Sequence, residues 1–140
     1  MRIWRYEKKK IDTPKEFSSY RDPCYRIGDG FLILYSVTDK YSFYSVQDEI
    51  EKIYRAKDVD DYPIIVIGNK IDLEEERNVS YEQGKELVDK YQKILFFEMS
   101  VKLCVNVEEV FYAIVGEINK SQNIELRNNS IENKKDCLMM

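Results

Sequence analysis

Two short polar strings carry the most specific chemistry in this chain, Asn69-Lys70-Ile71-Asp72 and Ser100-Val101-Lys102. A carboxylate such as Asp72 accepts from two parallel N–H donors, and guanine offers its N1–H and 2-amino group side by side. Adenine has neither, so a buried Asp facing it stays unpaired, which is the strong form of discrimination. The Asn69 amide suits the base edge or a tie between neighbouring loops. Lys70 can lay its methylene stem over one ring face. The Val101 backbone N–H suits the guanine 6-oxo group, with Lys102 covering the base from the other side. A third string, Cys137-Leu138-Met139-Met140, fits the C-a-a-X prenylation signal, and its final Met points to a farnesyl group.

Such strings also occur as solvated turns or accidental tail cysteines, so the elements that position them decide. Phe31-Leu32-Ile33-Leu34-Tyr35, Pro63-Ile64-Ile65-Val66-Ile67-Gly68 and Ile94-Leu95-Phe96-Phe97 are short continuous apolar runs. Rich in β-branched and aromatic residues, they read as fully buried strands of a parallel sheet. Helical spacing follows each. Phe43, Val46, Ile50, Ile53 and Tyr54 form one stripe, with Asp48, Glu49, Glu51 and Lys52 opposite. Ser80 is a candidate N-cap for a helix carrying Gly84, Leu87, Val88 and Tyr91. Val107, Val110, Phe111, Ile114, Val115 and Ile118 form the cleanest stripe, with Asn106 as candidate cap. Alternation of strand and helix predicts an α/β fold with a doubly wound, mostly parallel sheet. In such sheets ligands bind beyond the carboxyl ends of the strands, where both polar strings fall.

The ends differ from the middle. Residues 1–10 are basic, and only Ile3, Trp4 and Tyr6 offer strand character. From Asn119 the chain turns to Asn, Ser, Glu and Lys, which predicts a disordered tail over residues 119–140 behind a domain at 1–118.

Composition removes several classes of function. The chain has 140 residues, 22 basic and 26 acidic, for a net charge of −4, which gives no electrostatic pull towards nucleic acid. It has no histidine, which excludes Ser-His-Asp catalysis and imidazole-bound zinc. Its 3 cysteines, Cys24, Cys104 and Cys137, cannot complete a four-cysteine site, so no metal centre is expected. No signal peptide or membrane-spanning run is read, and the expected class is a soluble intracellular domain.

From Asp12 to Ile118 the sequence resembles the Ras family of small GTPases, most closely over Gly28–Asp39, Pro63–Asp72 and Glu98–Val110. The resemblance implies the small-GTPase version of the P-loop NTPase fold, GTP or GDP as ligand, and magnesium. It assigns guanine specificity to Asn69, Lys70 and Asp72 and the second base-contacting motif to Ser100, Val101 and Lys102, with Val101 in place of the usual Ala. It also implies farnesylation of Cys137, removal of the three residues after it, and methylation by prenyl-processing enzymes. The protein would then sit on the cytoplasmic face of the cell membrane, with a cytosolic fraction, in signal transduction with unnamed effectors.

Other family parts do not appear in the sequence. A phosphate cradle needs G-x-x-x-x-G-K-[ST]. The 5 glycines are Gly28, Gly30, Gly68, Gly84 and Gly116, and no two stand five residues apart. The first switch segment is not found. The second reads Asp12-Thr13-Pro14-Lys15-Glu16-Phe17, without the glycine that meets the γ-phosphate or the glutamine that orients water. Asp12 is thus the sole phosphate or magnesium candidate, no catalytic residue is assigned, and no hydrolysis is expected. Three or four base hydrogen bonds at roughly 1–1.5 kcal/mol each total about 4–5 kcal/mol, a dissociation constant of about 1 mM. Two further expectations follow. Pro23 falls where a helix should run, costing roughly 3 kcal/mol if interior, and without the family's first strand the edge of Phe31–Tyr35 is exposed to aggregation. Two alternatives stand beside a degenerate Ras-like switch: a nucleotide-independent, lipid-anchored interaction module, and an incomplete gene product.

Overall fold

A computed structural model describes residues 1–7 and 21–138. The apolar runs become strands β2 (Gly30–Ser36), β3 (Ile64–Asn69) and β4 (Leu95–Glu98), and with β1 (Ile3–Glu7) from the basic amino end they form one sheet, all parallel and in the order β1-β2-β3-β4. Helices α1 (Arg21–Ile27), α2 (Lys40–Lys57), α3 (Tyr81–Asp89) and α4 (Val107–Leu138) flank it. Alternate strand residues feed two cores. Ile33, Tyr35, Ile64 and Val66 pack with Val46, Ile50 and Ile53 of α2 and Val88 of α3. Leu32, Leu34, Ile65 and Ile67 pack with Met99 and with Val110, Ile114 and Ile118 of α4. Each such side chain, fully buried, contributes about 1.5–3 kcal/mol, so covering both faces is what makes a sheet of continuous apolar strands stable. The fold is the expected α/β one, with the strand order running one way only, half of a doubly wound sheet.

Ser80 caps α3 as expected: it accepts from the Gln83 N–H at 3.1 Å, while Gln83 Oε1 accepts from the Ser80 N–H at 2.9 Å. Other expectations are corrected. The edge of β2 is not open, because β1 pairs along it in parallel from Ile3↔Gly30 to Glu7↔Leu34. Pro23 lies in the first turn of α1, where its missing N–H has no helical acceptor to lose. Glu49, placed by spacing on the solvent face of α2, is 2% exposed and accepts from the Tyr25 hydroxyl and from Lys52 Nζ. Phe111 leaves the α4 stripe and is 51% exposed. Asn106 does not cap α4 with its side chain; its Nδ2 donates to the Glu98 C=O at 2.9 Å. Through the segment from residue 119 the backbone of α4 runs on to Leu138. After Gly116 that segment holds neither glycine nor proline, and its Glu, Lys, Leu and Arg are good helix formers.

One hydroxyl fits badly. Tyr35 Oη is buried and has no hydrogen-bond partner among the described residues. It lies so close to α3 that only glycine fits at 84, where a Cβ would strike the Phe96 ring and this same hydroxyl. Burial, and then the Glu98 charge, pushes its pKa well above the ordinary value, against a smaller opposing effect of Arg77. Burial, then Asp61, Tyr91 and Asp60, pushes Tyr54 up to about 12. Both folded values exceed the unfolded value of about 10, so the stability these phenols contribute is full below about pH 10 and is lost as pH rises through about 12. Tyr35→Phe removes the unpaired group and is expected to stabilise the protein by about 1 kcal/mol at pH 7 and to flatten the alkaline loss. Urea midpoints at pH 7 and pH 11 measure both, and a lower midpoint at pH 7 refutes the account.

Candidate functional site

The carboxyl ends of β3 and β4 lie side by side, with Gly68 opposite Glu98. Each strand ends in one of the two polar strings. At the end of β3 the chain turns sharply because Lys70 adopts a left-handed conformation, φ 69°. This is a costly geometry for a residue with a Cβ, and the turn is held by Leu73 N–H donating to Lys70 C=O at 3.0 Å and Ile71 N–H to Met99 C=O at 3.4 Å. The turn carries Asp72 back beneath the second string.

Ser100 there is fully buried. Its hydroxyl donates to Asp72 Oδ1 at 2.7 Å and accepts from the Leu103 N–H at 3.1 Å. Ser100 is therefore placed to orient Asp72 rather than to meet a base itself. Asp72, half-buried, keeps Oδ2 without a partner among the described residues and Oδ1 with a spare lone pair, so its carboxylate retains the capacity for two N–H donors. Asn69 is 8% exposed, and its Oδ1 accepts from the Val101 N–H at 3.3 Å. The sequence expectation left that N–H open to a 6-oxo group; here it is closed on Asn69 by a long bond that an entering oxygen would have to replace. Lys70 and Lys102 are both exposed on the two sides of the corner. The carboxylate, the amide and the two lysine stems thus fit the edge and faces of a guanine.

The structure brings together Asn69, Lys70, Asp72, Ser100, Val101 and Lys102. Asp12 lies outside the described residues, so the magnesium and phosphate reading gains no geometry. Cys137 falls on the helical backbone of α4; its side chain and residues 139–140 lie outside the described residues.

Sequence reasoning missed the brace beneath the corner. Arg77 grips Glu98 at the end of β4 with both prongs, NH1 to Oε1 at 2.7 Å and NH2 to Oε2 at 3.1 Å. Its Nε donates to Glu74 at 2.9 Å and NH1 to the Val79 C=O at 3.1 Å. The hydrogen bond to Glu98 raises the Arg77 pKa further above its already high value. The Glu98 C=O takes the Asn106 amide, which anchors the far end of the Ser100 loop, closed in addition by the Ser100–Val105 pair of backbone bonds. A signal was present: a carboxylate closing an apolar strand calls for a cation, though nothing in the sequence says which.

A family model described as Ras family matches residues 11–120, a span that contains both polar strings and the brace.

Proposed function

Since the chain belongs to the Ras family of small GTPases, we propose that it is a weak guanine-nucleotide binder, degenerate in phosphate binding and hydrolysis, held on the cytoplasmic face of membranes by a farnesyl group on Cys137. The observation that carries the nucleotide reading is the Ser100–Asp72 hydrogen bond of 2.7 Å, which presents a carboxylate with two acceptor sites free beside the Asn69 amide. Asp72 would take the guanine N1–H and 2-amino group, Asn69 and the Val101 N–H the 6-oxo side, and Lys70 and Lys102 the two ring faces. A bound nucleotide would supply the γ-phosphate whose presence or loss distinguishes family states; the residues of this chain contribute base selection. Membrane attachment rests on the C-a-a-X string, and signalling on family membership.

Calorimetry with GTP and ATP on the full chain tests the base reading. GTP is expected to bind with a dissociation constant of about 1 mM and ATP not measurably. Asp72→Ala is expected to erase most of the difference, because Asp72 alone pairs with the guanine N1–H and 2-amino group, while the Val101 N–H that would meet the 6-oxo group is closed on Asn69. Sub-micromolar GTP affinity would overturn the weak-binding account, and unchanged selectivity in the variant would remove Asp72 from the site. The closed Val101 N–H favours a second reading, the nucleotide-independent lipid-anchored module, and equal failure of GTP and ATP to bind would select it.

A further inference from the structure

At the opposite end of the molecule the last turns of α1 and α2 enclose a notch of about 230 Å³ lined by Arg26, Lys52, Arg55 and Ala56. The geometry points to a second, anionic binding site here, for a phosphate group in its dianionic form. It goes beyond the nucleotide reading and does not depend on it.

Several cations are committed to carboxylates, Lys52 of the notch among them through Glu49 at 2.9 Å. Arg77 is paired with Glu98, Lys85 with Asp89, Lys93 with Asp61 and Lys120 with Glu117. In a chain of net charge −4, unpaired cations gathered on one concavity call for a reason. The guanidinium groups of Arg26 and Arg55 have no hydrogen-bond or ion-pair partner among the described residues, and both side chains are exposed at the mouth of the notch. Basic residues in a final helical turn ordinarily complement the helix dipole. Lys57 already does that for α1, its Nζ donating to the Arg26 C=O at 2.7 Å. The arginines themselves are therefore left facing outwards.

Among the described residues no carboxylate lines the notch. Of the acids of α2, Glu49 is turned inwards and accepts from the Tyr25 hydroxyl and from Lys52 Nζ at 2.9 Å, and Glu51, exposed one turn before Arg55, accepts from Gln47 Nε2 at 3.3 Å and does not line the notch. That leaves two planar forks around an uncharged floor at Ala56, with the Lys52 ammonium at the edge already bonded to Glu49. Guanidinium forks match phosphate oxygens two at a time, which a carboxylate surface or a water-filled groove does not require. Phosphate in this form comes from two sources, a soluble phosphate compound or the headgroup of a phosphorylated lipid. The second would place the notch against the bilayer. Both arms are accessible on the unlipidated full chain.

The experiment measures binding of inorganic pyrophosphate by calorimetry and of phosphatidylcholine vesicles, with and without phosphatidylinositol bisphosphate, by co-sedimentation. The site predicts saturable binding in at least one arm, weakened at least tenfold in R26Q/R55Q. The variant K85Q/K90Q, which removes the same charge from the α3 region, should bind as the unmodified chain does. Pyrophosphate binding lost in R26Q/R55Q identifies a soluble ligand, and loss confined to the bisphosphate vesicles identifies a lipid. Absence of binding in both arms, or equal loss in the two variants, overturns the proposal. Circular dichroism of R26Q/R55Q separates loss of the site from loss of the fold.

Discussion

Arg77→Ala is expected to lower the stability of the protein by about 2–3 kcal/mol, a fall in Tm of roughly 6–12 °C. The Arg77 side chain is 17% exposed and that of Glu98 12%, so removing the guanidinium strands a carboxylate largely out of water at the end of β4. The two-pronged geometry and the shared bond to the Val79 C=O mean that several polar groups lose partners together. Partial exposure keeps the cost below that of a fully buried pair. Arg77→Lys keeps the charge but cannot supply the fork, and is expected to fall between the two. Because Glu98 precedes the Ser100 loop and anchors it through Asn106, the alanine variant should also lose guanine selectivity before it unfolds. Thermal and urea denaturation of the three proteins decide the matter, and a Tm for the alanine variant within 2 °C of the parent would refute the brace.

On the proposed lipid anchor, Cys137→Ser is expected to move the protein entirely to the soluble fraction, and a farnesylated parent is expected to divide between membrane and cytosol. A single prenyl chain gives reversible attachment, and stable anchoring takes a second signal. Residues 119–140 contain Lys120, Arg127, Lys134 and Lys135 against Glu125, Glu132 and Asp136, four charges less three, a net of +1. At about 1 kcal/mol per basic residue near an anionic surface, that adds little. The helical backbone of α4 would carry Cys137 about 28 Å beyond Ile118, the last residue of its buried stripe, since each helical residue adds about 1.5 Å. The domain would then hang from the membrane on a spacer rather than lie against it. Side-by-side fractionation of the two forms tests this; equal membrane retention of the serine variant would end the lipid-anchor reading.

Strands β2, β3 and β4, the α2 and α3 helices, the α4 stripe and the two polar strings were all legible in the sequence. Each of these signals is local. An unbroken run of β-branched residues, a recurrence every three or four positions, and a Ser just ahead of such a recurrence depend only on near neighbours in the chain. Tertiary structure decided how the polar groups are shared. Ser100 reaches Asp72 across 28 residues, the Val101 N–H reaches Asn69 across 32, and Arg77 reaches Glu98 across 21. Those pairings exist because β3 and β4 are in register from Ile65↔Leu95 to Gly68↔Glu98. A shift of one residue would turn the pleat over and point Glu98 away from Arg77. The same holds for β1, whose weak apolar character gave no hint that it would cover the edge of β2. Glu49 became an inward residue only because Tyr25 of α1 packs above it. Sequence determined which residues could recognise a base and on which elements they ride, because propensity and periodicity act over a few residues. The register of the sheet determined which donors and acceptors remain free, because that depends on backbone groups meeting across the molecule.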